Sequence, residues 1–234
     1  MISVDNIVLH FGGIRAVDGV SLAIRKGAIT GLIGPNGAGK TTLFNIIAGV
    51  YQPNFGRILL DGEEITDLKP HQRFGKGLLR TFQIAHEFSS MTVLENLMMV
   101  PGLQSGEQIF NAWFRRDAIR EEERANRRKA DEVIEFLHLN RVAHDRAGNL
   151  SGGQKKLLEL GRTMMVEAKV VLLDEVGAGV NRTLLQYVGD AIVRLNQERG
   201  YTFCMIEHDM DFISKLCDPV IVMADGKLLT VGSA

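Results

Sequence analysis

The sequence of 234 residues has little cysteine, no long apolar run and almost no net charge. Its two cysteines, Cys204 and Cys217, lack the spacing of metal ligands, so we expect buried thiols in a reducing compartment. No apolar segment approaches the ~20 residues that a membrane helix needs. The start of the chain, residues 1–5, has neither the basic residues nor the apolar core of a signal peptide. We therefore expect any membrane role to come through a partner.

The bulk composition is that of a soluble globular protein. Hydrophobic residues make up 45% and charged residues 24% of the chain, which is long enough for one or two domains. The formal net charge is −1, so no global field draws the chain onto nucleic acid or anionic lipid.

A glycine-rich stretch, residues 34–42, stands between an apolar segment and a helical one. It reads GPNGAGKTT and matches the pattern G-x-x-x-x-G-K-S/T. Residues 28–33 predict a buried strand and residues 43–48 a helix. In that context the loop amides and the helix N-terminus converge on a phosphate, while Lys40 adds a full positive charge and the Thr41 hydroxyl can bind Mg²⁺. The stretch therefore predicts a phosphate-binding loop.

Two apolar segments end in charged residues. Residues 170–174 predict a buried strand that finishes in Asp174 and is followed by Glu175. Residues 201–206 predict a second strand, followed by Glu207, His208 and Asp209. Because ligands of α/β sheets bind beyond the carboxyl ends of parallel strands, these side chains are candidates for a site.

The remaining motifs are ambiguous when each is taken alone. Residues 2–11 and 15–25 predict two strands joined by a glycine turn, and Phe11 before that turn could stack on a base or, more simply, fill the core. Residues 78–83 predict a strand that ends in Gln83. Residues 150–154, LSGGQ, precede a helix and could bind a phosphate or serve as an ordinary N-cap.

Together these stretches resemble the ATP-binding-cassette ATPases, the nucleotide-binding subunits of ABC transporters. The resemblance extends over essentially the whole chain, with the motifs in the family's order. In that order they are Walker A at 34–42, the Q-loop at Gln83, the signature at 150–154, Walker B at 170–174, the catalytic glutamate at Glu175, the D-loop at 178–181 and the switch histidine at His208.

The resemblance implies an α/β P-loop fold with an N-terminal antiparallel β part and an inserted helical subdomain. Residues 1–234 would form one ABC ATPase domain. Its RecA-like catalytic core and β part would comprise residues 1–84 and 166–234, and residues 85–165 would form the helical signature subdomain.

The resemblance also implies Mg²⁺-dependent hydrolysis of ATP and gives each motif residue a role. Glu175 would act as general base, His208 would contact the γ-phosphate, and Gln83 would sense the metal and the water. The metal would be held by Thr41, Gln83 and Asp174. Phe11 would stack on adenine. The other nucleotide contacts would come from Gly34, Asn36, Gly37, Ala38, Gly39, Lys40, Thr41, Thr42, Ser151, Gly152, Gly153, Gln154, Asp174 and Asn181.

In this family two chains sandwich two ATP molecules, which implies a homodimer or a heterodimer with a related ATPase subunit. Ser151 and Gly153 would then meet the γ-phosphate bound to the opposite chain. The further partners implied are transmembrane permease subunits, which would hold the chain at the cytoplasmic face of the plasma membrane.

Within the family the chain looks like the ATPase of branched-chain amino-acid uptake systems. The residues that carry this are 11–13, 80–83, 91–96 and the charged helix at 115–132. An ATPase of lipopolysaccharide export and a soluble ABC ATPase of cofactor assembly are the alternatives. A binding module without hydrolysis is disfavoured, because Glu175 and His208 are both present.

Two departures from the family pattern bear on these expectations. Val176 stands where the family usually has proline, which predicts a more mobile D-loop because proline would fix φ there. Relatives usually continue past Gly232 with a short helical tail, whereas this sequence stops at Ala234.

Overall fold

A computed structural model describes residues 1–81, 87–102, 116–166 and 168–233. The chain divides into two compact units, one made of Met1–Gln83 with Ala168–Ala234 and the other of Ile84–Glu167. Among the described residues, no helix combines the length and the apolar character needed to cross a bilayer.

The helices and strands are numbered in chain order. The strands are β1 (Ile2–Phe11), β2 (Ile14–Ile24), β3 (Ile29–Ile33), β4 (Phe55–Leu60), β5 (Glu63–Glu64), β6 (Leu78–Arg80), β7 (Val170–Asp174), β8 (Thr202–Ile206), β9 (Val220–Ala224) and β10 (Lys227–Gly232). The helices are α1 (Lys40–Ile47), α2 (Pro70–Gly75), α3 (Val93–Met98), α4 (Arg116–Phe136), α5 (Gly152–Met164), α6 (Arg182–Arg199) and α7 (Met210–Leu216).

The first unit contains two sheets. The antiparallel sheet has the order β2-β1-β4-β5, and the predicted hairpin is its β1–β2 pair. The second sheet has the order β10-β9-β3-β8-β7-β6, in which β10 is antiparallel to β9 and the other neighbours run parallel. The predicted α/β core with an antiparallel N-terminal β part is therefore confirmed.

The three central strands of the parallel sheet are buried, as their apolar sequences predict. Every residue of β7 and β8 is buried, and in β3 Ile33 alone is partly accessible. Leu32 pairs with Ile206, and Ile206 pairs with Asp174. The three strands therefore end side by side, and the residues after them meet at one edge of the sheet.

The core of this unit joins both sheets to helix α1. Leu43 and Phe44 of the helix, Ile7 of β1 and Leu172 of β7 belong to one apolar cluster, and all four are completely buried. The predicted burial of both cysteines is confirmed, and both are free thiols. Burial raises the pKa of Cys217 to about 12, so this thiol is protonated at neutral pH.

A buried arginine holds the end of helix α1. Arg73 is completely buried. Its guanidinium donates hydrogen bonds to the carbonyl oxygens of Ile46 at 2.6 Å, Ile47 at 2.7 Å, Thr66 at 2.5 Å and Leu68 at 2.9 Å. The last carbonyls of a helix lack partners within it, so Arg73 supplies the missing donors.

The second unit contains α3, α4 and α5. A capping box begins α3: Thr92 N donates to Glu95 Oε2 at 2.7 Å, and Glu95 N donates to Thr92 Oγ1 at 3.2 Å. Helix α4 carries both signs of charge and forms surface ion pairs such as Arg127 with Asp131 at 4.0 Å. It contacts α3 and α5 through its apolar side, which includes Val133.

Candidate functional site

The glycine-rich loop leaves β3 and enters α1 through positions that only glycine tolerates. Gly34 has φ 148° and Gly39 has φ 90°. A side chain at Gly34 would collide with the carbonyl oxygen of Met223, and one at Gly39 with the carbonyl oxygen of Ala16. The loop is thus packed between β2 and the end of β9, and both glycines are needed for that close approach.

The N-terminus of α1 presents unsatisfied donors and a lysine to the same hollow. The first amides of an α-helix have no partner inside the helix. In α1 no side chain caps them at Gly39, so they remain available to a ligand. Lys40 is buried, and its Nζ donates to the carbonyl oxygens of Gly34 at 2.8 Å and Pro35 at 3.0 Å. Burial lowers the pKa of Lys40, and the neighbouring acidic side chains oppose that shift. This concentration of donors and positive charge suits a phosphate.

Two residues that follow different strands contact each other near the loop. Glu175 follows β7 and His208 lies two residues beyond β8, and His208 Nε2 is 3.3 Å from Glu175 Oε1. Glu175 has φ 51°, a left-handed conformation that is costly for a residue with a side chain. Strain of this kind is frequent at functional sites, and here it belongs to the residue predicted to be the base.

A cavity of about 480 Å³ joins these parts. Its wall includes Asn36–Thr42 as well as Glu175 and His208. The full lining is Ile14, Arg15, Ala16, Asn36, Gly37, Ala38, Gly39, Lys40, Thr41, Thr42, Glu175, His208, Asp225 and Gly226. Nine of the predicted site residues, from Asn36 to Thr42 together with Glu175 and His208, therefore lie around one cavity.

The other five lining residues belong to none of the motifs found in the sequence. Ile14, Arg15 and Ala16 begin β2, while Asp225 and Gly226 form the β9–β10 turn. The Asp-Gly pair predicts the turn, but not its contact with the loop. Gly226 N donates to the Ala38 carbonyl oxygen at 3.2 Å, which brings the turn against the phosphate-binding stretch.

Asp174 lies beside the cavity wall and is almost completely buried. Its Oδ2 accepts a hydrogen bond from Arg80 Nη2 at 2.7 Å. The same guanidinium donates from Nη1 to the side-chain oxygen of Asn45 on α1. In the sequence Arg80 belongs only to the stretch 80–83, which carries part of the family resemblance. Its partner Asp174 lies 94 residues away, so sequence spacing cannot find the pair.

Phe11 is not in the core, so that alternative is wrong. Its side chain is 47% exposed and packs edge-on against Tyr51, with ring centroids 5.3 Å apart. It is not among the residues that line the cavity. The exposed ring remains available to stack on a ligand.

Two predicted nucleotide contacts serve as local helix caps. Ser151 begins α5 in a capping box, in which Ser151 N donates to Gln154 Oε1 at 2.9 Å and Gln154 N to Ser151 Oγ at 3.4 Å. Asn181 Oδ1 accepts from Leu184 N at 2.9 Å and caps α6. Ser151–Gln154 belong to the second unit, Asn181 to the first. Gln83 lies outside the described residues.

Residues 17–178 match the sequence profile of the protein family described as ABC transporter. The probable branched-chain amino acid transport ATP-binding protein LivG of Archaeoglobus fulgidus is 40% identical over 232 residues, which cover 99% of this chain and 89% of the relative. The high-affinity branched-chain amino acid transport ATP-binding protein BraF of Pseudomonas aeruginosa is 37% identical over 233 residues, covering 100% of this chain and 91% of the relative.

Solved structures agree with these relatives. A nucleotide-free ATP-binding cassette from an ABC transporter has a TM-score of 0.85 and 36% sequence identity to this chain. The alignment covers 100% of this chain and 91% of that cassette. The ADP conformation of an ABC transporter cassette has a TM-score of 0.85 and 37% identity over the same shares. The family match and the full-length relatives confirm the resemblance noted in the sequence. The chain belongs to the ABC transporter family, as an ATP-binding subunit that couples ATP hydrolysis to transport.

Proposed function

We propose that ATP is hydrolysed in the cavity beside residues 36–42, with Glu175 as general base, to drive import of branched-chain amino acids. One observation carries the catalytic part: Glu175 and His208, 3.3 Å apart, line the same cavity as residues 36–42. The volume of about 480 Å³ lies within the usual range of ligand pockets, ~300–1,000 Å³.

The phosphates would lie on the N-terminus of α1. Lys40 would exchange its bonds to the carbonyl oxygens of Gly34 and Pro35 for the β- and γ-phosphates, because a phosphate oxygen is a charged acceptor. The helix amides and the loop amides would complete the cradle. Phe11, half exposed on β1, would stack on adenine.

The oxygen-bearing side chains near the cavity suit a Mg²⁺ ion whose remaining ligands would be nucleotide phosphates and waters. Among the described residues there is no cluster of three or more His, Cys, Asp or Glu side chains suited to a metal. Mg²⁺ at phosphate sites needs only one or two protein ligands beside the phosphates and waters. Thr41, on the cavity wall, and buried Asp174 would supply them, with Gln83 as the third proposed group. The ion would neutralise charge that develops on the phosphate oxygens.

The chemical step needs a base opposite the γ-phosphate. Glu175 would take a proton from water as the water oxygen attacks γ-phosphorus, and the bond to the bridging oxygen of ADP would break. His208 would contact the γ-phosphate and keep the Glu175 carboxylate directed at the water. The products would be ADP and inorganic phosphate.

A second chain would complete the site. Of the two residues predicted to meet the opposite γ-phosphate, Ser151 is exposed at the N-terminus of α5, whereas Gly153 is buried. The Ser151 hydroxyl and the amides of this helix end would meet a phosphate bound to another cassette. Two chains would then enclose two ATP molecules, either as a homodimer or with a related subunit. Asn181 would contribute from the D-loop of the first unit.

The transport role rests on the relatives. LivG and BraF proteins that are 34–40% identical to this chain are described as branched-chain amino acid transport ATP-binding proteins. We propose that this chain binds permease subunits at the cytoplasmic face of the membrane. Residues 1–84 with 166–234 would act as the catalytic core, and residues 85–165 as the helical signature subdomain. The same relatives favour this role over lipopolysaccharide export or cofactor assembly.

Uptake and co-purification together test the transport role. A strain that carries only the Glu175→Gln variant should lose uptake of leucine, isoleucine and valine, while the tagged wild-type chain should co-purify from detergent-solubilised membranes with polytopic permeases. Normal uptake in that strain, or co-purification with soluble proteins alone, would contradict the proposed transport role. The control is Thr202→Val, which changes a buried residue of β8 outside the cavity lining. A strain that carries this tagged variant should keep uptake.

A further inference from the structure

We propose that Glu207 is a positioning residue that sets the relation between Glu175 and His208 by holding the backbone beside each of them. This inference rests on the catalytic roles proposed above for those two residues. The structure supports it through a set of hydrogen bonds that nothing in the sequence motifs predicts.

The Glu207 carboxylate joins the two strand ends. Its side chain is 5% exposed, and its Oε1 accepts a hydrogen bond from Gly177 N at 2.6 Å. Its Oε2 accepts from His208 N at 3.2 Å. One carboxylate therefore holds the backbone two residues after Glu175 and the backbone of His208 itself.

The segment held by Glu207 is the turn that begins at Glu175. Ala178 N donates to the Glu175 carbonyl oxygen at 3.2 Å, so Glu175–Ala178 form a hydrogen-bonded turn. Val176 is the second residue of that turn, where proline would fix φ in advance. Gly177 is the third residue, and its amide is bound by Glu207. The hydrogen bond from Gly177 supplies a restraint that the valine does not.

The Glu175 backbone is thereby fixed from both sides. Glu175 N donates to the Ile206 carbonyl oxygen at 2.9 Å, which anchors it to the end of β8. Glu207 anchors the following turn. Burial raises the pKa of Glu207, while the amides of Gly177 and His208 oppose that shift. Burying a carboxylate costs free energy unless its oxygens accept hydrogen bonds. The two oxygens of Glu207 accept them from the segments that carry the proposed base and the switch histidine.

This arrangement predicts loss of turnover without loss of ATP binding. Glu207→Ala should lower kcat by about 10-fold, because a small misplacement of a catalytic group is expensive in rate. The Kd for a fluorescent ATP analogue should change by less than about 2-fold, which corresponds to about 0.4 kcal/mol. Hydrogen–deuterium exchange of the nucleotide-free chain should speed up in the peptide that contains Gly177.

Two further variants separate positioning from general loss of stability. Thr202→Val removes a buried acceptor at the other end of β8, where Thr202 Oγ1 binds Gly27 N at 2.9 Å. It removes the same kind of bond and should leave kcat and exchange at Gly177 unchanged. Val176→Pro, added to Glu207→Ala, should recover part of the lost kcat by restraining the turn. If Glu207→Ala does not fold, Glu207→Gln replaces it. Its amide oxygen can still accept from Gly177 N, but its amide nitrogen cannot accept from His208 N, so kcat should fall while exchange at Gly177 stays slow.

The outcomes distinguish this inference from the proposed function. Unchanged kcat and exchange in Glu207→Ala would overturn the positioning role, provided that Glu175→Gln is inactive. Where only Glu207→Gln folds, an unchanged kcat in that variant would overturn it. An equal loss of kcat in Thr202→Val, or no recovery with Val176→Pro, would also overturn it. An active Glu175→Gln variant would instead remove the catalytic assignment on which the inference rests.

Discussion

Arg80 and Asp174 form a buried ion pair, with Nη2 and Oδ2 2.7 Å apart and side chains 11% and 3% exposed. Because Arg80 also binds the Asn45 side chain, one guanidinium links β6, β7 and α1. These are the elements that carry the residue proposed to support Mg²⁺ and the helix proposed to hold the phosphates. The pair therefore fixes two parts of the site relative to one another.

Arg80→Met should lower the free energy of unfolding by about 3–5 kcal/mol, because it leaves a buried carboxylate without its partner. Urea denaturation followed by circular dichroism measures this. The matched control is Arg57→Met, which breaks an exposed pair with Asp5 at 3.1 Å and should cost less than about 1 kcal/mol. Equal losses for the two variants would mean that the buried pair has no special role.

Lys40→Ala should abolish tight ATP binding, because it removes the full positive charge that the phosphate-binding stretch contributes. Isothermal titration with ATP measures the affinity. Lys76→Ala is the control, since Lys76 pairs with Glu63 on the surface at 2.7 Å and lies outside the cavity lining. Unchanged affinity in Lys40→Ala would remove this lysine from the site.

The pH dependence of ATP binding should report the same lysine. Burial lowers the pKa of Lys40 from its ordinary value of 10.5, so the free chain loses this charge at a lower pH than an exposed lysine does. ATP affinity should therefore begin to weaken at a pH below 10.5, where an exposed lysine would still be largely protonated. In Lys40→Arg the charge persists, and any residual affinity should stay flat over that range. A flat profile in the wild type would contradict the expected shift.

Phe11→Ala should weaken ATP binding by about 1 kcal/mol, or roughly 5-fold, if the ring stacks on adenine. The rate of the chemical step at saturating ATP should be nearly unchanged. Phe55→Ala is the matched control, because Phe55 is an exposed aromatic on the same sheet and lies outside the cavity lining. An unaltered affinity for ATP in Phe11→Ala would exclude the stacking role.

Local patterns predict the elements of this fold well. The sequence predicted the glycine loop between β3 and α1, the hairpin of β1 and β2, and the N-cap that Ser151 supplies to α5. In each case the signal lies within a few residues, because strand alternation, turn chemistry and capping are short-range effects.

The buried polar side chains were not predictable in this way. Arg73 binds carbonyl oxygens 26 and 27 residues away, and Glu207 binds an amide 30 residues away. Arg80 and Asp174 are still more distant in sequence. Such pairs depend on the order of strands in the sheet, and no local spacing encodes that order. Motifs therefore indicated nine of the residues that line the cavity, but not the residues that hold them there.

The Glu175→Gln variant tests the central claim most directly, that Glu175 is the general base of a site completed by a second chain. Phosphate release should fall by a factor of about 10² or more, the scale of a lost general base, while ATP still binds through Lys40 and Thr41. The variant should then accumulate as an ATP-dependent dimer in size-exclusion chromatography. Adding Ser151→Arg should return it to a monomer that still binds ATP, because the exposed end of α5 would carry bulk and charge. Phosphate release at the wild-type rate, or an ATP-bound variant that stays monomeric at high concentration, would contradict the claim.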